Sequence, residues 1–202
     1  METRRLRIVD AAMTLFSERG FDNVSTAEVA AAAGVTEKTV FNHFGRKEDI
    51  VFYRSDSMIQ VMEQTIRDRH QHPGVPIIEL LRELTHRQID LRDNISDELR
   101  KFTAITAASP TLERRRLLAL NSDAELVRDA LLEEKPELGA GGLATALGYI
   151  LASIHWATLT ELGNAVTRGV SIDAACATAH AAVDRGYEIL RSGFGSSTIE
   201  DL

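Results

Sequence analysis

Apolar residues recur at helical spacing along nearly the whole chain and nowhere alternate with period two, so the pattern predicts an all-α protein. The first stripe, Ile8, Val9, Ala12, Leu15 and Phe16, lies on one face of a helix over 6–19 that Gly20 ends. Phe21 and Val24 follow as apolar anchors in a connecting loop. Ser25 and Glu28 then have the spacing of a capping box, in which each residue satisfies a free backbone N–H of the other, and they start a short helix over 27–33. Gly34 stands where a helix end wants a left-handed residue, and Val35 can tuck beneath the turn. Thr36 can cap a further helix whose first turn carries Glu37, Lys38 and Thr39. In that helix Val40 and Phe44, four apart, can face inward, leaving Lys38, Thr39, Phe41, Asn42 and His43 around the rest of its circumference.

Two short helices joined across a tight turn, the second with a polar face, have the layout of a helix-turn-helix. The side chains suit that reading: amide and ammonium groups address base edges, an aromatic ring packs on a thymine methyl, and hydroxyls at helix starts bind phosphate. Arg4, Arg5 and Arg7 add a basic arm able to reach the backbone or the minor groove.

The run IVDAAMTLFSERGFDNVSTAEVAAAAGVTEKTVFNHFGRKEDI resembles the DNA-binding domain of the TetR family of transcriptional regulators. The resemblance rests on ordered features: the AA..LF pair, ERGF, the A.AAGV turn, T..T on the second short helix, and the HF.RKED junction. It implies a homodimer on a palindromic operator, with two recognition helices in successive major grooves. It also implies a helical C-terminal domain that binds a small inducer. Family phosphate-contacting positions fall on Ser25 or Thr26, Thr36, Thr39, His43 and Lys47, and base-proximal ones on Glu37, Lys38, Phe41 and Asn42. Members commonly have tyrosine at the position of Phe41, so the hydroxyl bond to phosphate is lost here. Glu37 brings a carboxylate towards DNA, which is repelled unless it accepts from cytosine or pairs with Lys38.

Beyond this head, taken as residues 1–47, the pattern predicts a helical domain over 48–202. A long helix runs from about 47 towards 69 and stops before the breakers His70 to Gly74. Others follow over about 76–93, from Ser96, and from Ser109-Pro110 to 134. Residues 135–142 read as a loop, 143–166 and 171–192 as helices, and the Gly/Ser-rich end from about 193 as disordered. The uncharged stretch 139–160 is long enough to span a bilayer, but its His155 and many small residues fit a close helix seam better, and no membrane association is expected. Ala144, Gly148 and Ala152, then Ala175 and Ala179, and Ala182 and Gly186, recur every four residues, which suggests a homodimer through the last two helices.

Charge refines the division. The formal net charge is −7, yet residues 1–47 hold seven Lys and Arg against six Asp and Glu, leaving 16 against 24 in the remainder. A weakly basic reading head on an acidic body implies modest non-specific affinity, with specificity set by dimer geometry. Met1 leads directly into a charged amphipathic helix, so no signal peptide is expected, and the single Cys176 suits a cytoplasmic, nucleoid-associated protein.

No enzyme motif survives its context. Gly139, Gly141 and Ala144 have dinucleotide-fingerprint spacing, but no strand precedes them, and Cys176 lies in an alanine-rich helix. His70 and His72 lack a Cys or carboxylate cluster, so neither a metal nor a cofactor is expected. The body instead offers candidates for a ligand pocket: His86, Phe102, Thr103, Thr106, His155, Trp156 and Thr158. The aliphatic, aromatic-poor interior suits a small lipophilic inducer, and the RKEDIVF and PTLERRRLLAL stretches resemble the TetR subgroup associated with acyl-CoA-like ligands. Sequence reasoning therefore expects a repressor released by such a ligand. The alternative is a helical small-molecule-binding protein whose helix-turn-helix is non-functional or activating.

Overall fold

The computed structural model describes residues 2–91 and 96–193, and within them every regular element is an α-helix or a 3-10 turn. The head comprises α1 (Glu2–Arg19), α2 (Thr26–Ala32) and α3 (Glu37–His43), and α4 (Lys47–Arg67) leads away from it. The body comprises α5 (Ile77–Leu91), α6 (Ser96–Ala108), α7 (Pro110–Glu134), α8 (Leu143–Thr167) and α9 (Ile172–Gly193). The glycine- and serine-rich end expected to be disordered lies outside the described residues, apart from Gly193, the last residue of α9.

The head closes over the apolar stripe of α1. Ile8, Val9, Ala12 and Phe16 are buried against Phe21, Val24, Val29, Val40 and Phe44, with Ile50 of α4 completing the cluster. Each large aliphatic or aromatic side chain so buried contributes on the order of 2 kcal/mol. α3 stops one residue before the inward pair implies. Phe44 is extended at φ −137°, caps the helix through its N–H to the Val40 carbonyl at 2.8 Å, and still drops its ring into the core. α4 likewise ends at Arg67 and passes into a 3-10 turn, Asp68–Gln71, where the sequence pattern continues the helix towards Arg69.

In the body α8 packs on α6, α7 and α9. The stripe Ala144, Gly148 and Ala152, expected at a dimer seam, is buried inside the chain instead. A β-carbon on Gly148 would run into the Ala124 carbonyl of α7, and one on Gly163 into the Thr103 hydroxyl of α6. The small residues therefore let helices of one chain approach closely. The turn before α8 and α8 itself are apolar enough to cross a membrane, but Leu147, Leu151, Trp156, Leu159 and Leu162 pack within the bundle. The stretch expected as a loop over 135–142 winds into a 3-10 turn, Pro136–Gly142. Its turn breaks at Ala140 and Gly141, where φ values of 65° at Gly141 and 77° at Gly142 suit glycine alone.

Head and body meet along two lines. α1 touches α6, and α4 lies on α7, where Arg115 donates to Asp49 at 3.3 Å and stands 5.5 Å above the Phe52 ring. A groove of about 430 Å³ opens beside this contact, between Ile59 and Gln60 of α4 and Leu118, Ser122 and Leu126 of α7.

Candidate nucleic-acid interface

The turn that aims α3 is built by local chemistry. Glu28 N–H donates to Ser25 Oγ at 3.2 Å, and the Glu28 carboxylate accepts from Ser25 N–H at 2.9 Å, a complete capping box at the start of α2. Those bonds, the Ser25 backbone N–H first, hold the Glu28 carboxyl down at about 2, and Arg19 reinforces them with an ion pair at 2.8 Å. Gly34 takes φ 64°, which lets Val35 N–H return to the Ala30 carbonyl at 2.9 Å. Thr36 then caps α3 by accepting from Thr39 N–H at 3.1 Å, and the two hydroxyls meet at 2.8 Å.

With Val40 and Phe44 buried, one face of α3 is left to solvent: Glu37, Lys38, Phe41 and Asn42. Phe41 is 52% exposed, with half of its surface open to solvent. Short polar and cationic groups around one exposed ring can address base edges and a thymine methyl. Thr39 and His43 flank this face half-buried, and Thr36 is exposed at its leading end.

Besides the capping residues Ser25, Thr36 and Thr39, three further expected DNA-contacting residues are engaged within the chain. Thr26 Oγ1 donates to Glu37 Oε1 at 2.9 Å, which joins the starts of α2 and α3 and gives the Glu37 carboxylate a partner other than Lys38. Lys47 departs furthest from expectation. Its ammonium donates to the carbonyls of Phe21 at 2.8 Å and Val24 at 2.9 Å, and lies 4.0 Å from the centroid of the Phe21 ring. A part-buried cation with two carbonyls and a ring face is a clamp that fixes the α1–α2 loop to the start of α4. The exposed cation beside α3 is Arg46, which sequence reasoning passed over although it stands in the same HF.RKED junction. Arg4 and Arg7 are exposed on α1 as expected of a basic arm, while Arg5 lies 5.9 Å from the Tyr53 ring centroid.

The seven candidate ligand residues do not form one pocket. Phe102 and Trp156 stand edge-on to Phe52, with centroids 5.8 and 6.0 Å away, and Trp156 Nε1 donates to Asp123 Oδ2 at 2.8 Å. Burial raises the Asp123 carboxyl above the ordinary aspartate range, and the Trp156 bond partly offsets it. Thr103 packs on Gly163, and Thr106 returns its hydroxyl to the Phe102 carbonyl at 2.8 Å, so both are core residues in this state. His155 and Thr158 line a separate void of about 10 Å³ with Thr85, Gln88, Ile89 and Leu159, room for a single water at most. Gln88, missed from the sequence, has a buried amide nitrogen without a hydrogen-bond partner. Its signal was available: a polar residue on the same helix face as Leu81, Leu84 and Thr85. His86 belongs to neither group, because it turns outward to α9. Among the described residues no group of three or more His, Cys, Asp or Glu has the geometry of a metal site.

Comparison with known proteins agrees with this geometry. Residues 8–53 match the family model of bacterial regulatory proteins, tetR family. The HTH-type transcriptional regulator AcrR of Shigella flexneri is 34% identical over 104 residues, 50% of this chain and 46% of that protein. The chain thus spans about half the length of such curated relatives, or less. Two solved structures share the fold across nearly the whole chain. Thermus thermophilus FadR, in complex with lauroyl-CoA, has a TM-score of 0.53 at 24% identity over 90% of this chain and 94% of its own. NalD of Pseudomonas aeruginosa, a repressor of a multidrug efflux pump, has a TM-score of 0.56 at 20% identity over 92% and 98%. The capped turn and the exposed face of α3 thus lie in a head that matches the bacterial regulatory proteins, tetR family, and the helical body shares the fold of these solved structures.

Proposed function

We propose that the chain is a sequence-specific DNA-binding transcriptional regulator that acts in the cytoplasm as a homodimer on palindromic operator DNA. The observation that carries this reading is the exposed face of α3, where Lys38, Phe41 and Asn42 project from a helix fixed by caps at its start and burial at its back. Domain division follows the same line, with residues 1–47 reading DNA and 48–202 serving ligand and dimer. Within the reading head, Lys38 and Asn42 contact bases and Phe41 a thymine methyl. Ser25, Thr36, Thr39 and His43 contact phosphate, Thr26 does so once its bond to Glu37 opens, and Glu37 lies near the bases, where its carboxylate can accept from cytosine. Dimerisation uses the outer faces of α8 and α9, where Ala146, Ser153, Ala157, Ala177, Ala182 and Ile189 are exposed. The small residues on these faces permit close approach, which suits a four-helix seam between subunits.

A small lipophilic ligand, acyl-CoA-like in character, releases the DNA. It enters between α6 and α8 by parting the Phe52, Phe102 and Trp156 cluster, and the displacement passes to the head through α4. The similarity to a regulator solved with lauroyl-CoA supports that chemistry. A gel shift on the intergenic DNA upstream of the gene tests the reading. Retardation reversed by lauroyl-CoA but not by CoA alone is expected, and retardation unaffected by either would reject the acyl ligand while leaving the regulator.

A further inference from the structure

One polar cluster has no part in DNA reading or in the proposed pocket. On the seam between α5 and α9, His86 Nδ1 lies 2.6 Å from His180 Nδ1. The remaining nitrogens each face a carboxylate: His86 Nε2 lies 2.8 Å from Asp184 Oδ1, and His180 Nε2 lies 2.9 Å from Asp90 Oδ1. The ring centroids are 4.9 Å apart and the planes 19° from parallel. That centroid separation is close to the nitrogen distance plus two ring radii, so the rings lie edge to edge with the two Nδ1 positions aimed at each other.

Counting protons decides what this chain of contacts can hold. Asp184, His86, His180 and Asp90 are joined by three contacts, each needing one hydrogen, and ionised carboxylates bring none. Two neutral imidazoles bring two. One contact would then set acceptor against acceptor at hydrogen-bond distance. Two fully charged imidazolium rings would set donor against donor between the Nδ1 atoms. Only one additional proton, shared by the pair, satisfies all three. It also offsets part of the negative charge of the two carboxylates, one of which, Asp184, accepts from Arg82 as well at 2.9 Å. The paired groups hold the Asp184 carboxyl below the usual range, His86 first and Arg82 after it.

We propose that His86 and His180 bind a single shared proton that latches α5 to α9, making this seam of the body proton-sensitive. Other groups facing the seam are Glu79 on α5, which pairs with Arg82, Tyr187 on α9, bonded to Thr85, and His155 on α8. Asp68 and His72, at the end of α4, face Arg87 across a separate groove. The latch joins the helix that follows α4 to the last helix of the body, so its opening reaches both.

Histidine NMR of the full chain in EDTA tests this without mutation. The expected result is a plateau around neutral pH with one proton per pair and a strongly deshielded shared proton; two imidazoles that titrate independently in one step would overturn it. His180→Asn supplies a second measurement, because its amide N–H can donate to His86 Nδ1 with no extra proton. Its Tm is expected to lose the wild-type dependence on pH between about 5 and 8, the range in which histidine changes charge. Parallel curves for wild type and H180N would reject the latch. Neither measurement uses DNA, so loss of the DNA-binding reading would leave this result standing.

Discussion

The head and the body of this chain differ in where their polar residues find partners. In the head, the caps that shape the turn act on neighbours three residues away, Ser25 on Glu28 and Thr36 on Thr39, while the Arg19–Glu28 ion pair, the Thr26–Glu37 bond and the Lys47 clamp reach further. In the body polar groups act across the fold, as Trp156 on Asp123, Thr85 on Tyr187 and His86 on His180. Local chemistry fixes the exposed face of α3, the surface proposed to read DNA. Long-range pairs instead decide how helices sit against each other, and these are the contacts a ligand or a proton can alter.

The largest expected effect breaks the idea that the stripe of Ala144, Gly148 and Ala152 serves the dimer. Gly148→Val would drive its side chain into the Ala124 carbonyl and destabilise the body by about 3 kcal/mol. Urea unfolding measures it. A dimer that dissociates with unchanged chain stability would return the stripe to the subunit interface. Next is Lys47→Ala, which removes two charged hydrogen bonds and a ring contact and costs the head about 2 kcal/mol. Arg46→Ala provides the contrast: unchanged Tm, with the slope of log affinity against log salt reduced by about 0.9. Should Lys47→Ala leave Tm unchanged and flatten the salt slope instead, the clamp is wrong and the phosphate contact stands.

The smallest effect concerns acid. Because the Glu28 carboxyl is lowered from 4.5 to about 2 in the folded head, its stabilisation is complete above 4.5 and is lost as pH falls towards about 2. Glu28→Gln is expected to flatten the Tm of the head across that window, and an unaltered acid limb would remove the capping box from the account.

How much could be read from sequence follows the same divide. Ser25, Glu28, Gly34 and Thr36 announced their roles because caps and turns depend on residues within one helical turn, and the structure places each as expected. The internal bonds of Lys47 were not legible because its partners, the carbonyls of Phe21 and Val24, are 26 and 23 residues away and no side-chain pattern marks a carbonyl. The stripe of Ala144, Gly148 and Ala152 correctly signalled close approach, but spacing alone cannot say whether the approaching helix belongs to the same chain. His86 was grouped with Phe102 and Trp156 on residue type, whereas the packing of α5 on α9 sends it to the other side of the body.

The central claim is that α3 reads sequence. Fluorescence anisotropy at fixed salt, comparing upstream palindromic DNA with random duplex for wild type and Asn42→Ala, tests it most directly. The wild-type chain is expected to prefer the palindrome by a factor on the order of 10³ or more, and Asn42→Ala to give up about 1–3 kcal/mol of that preference while holding its affinity for random DNA. Equal loss on both duplexes, or no preference in the wild type, would contradict the claim.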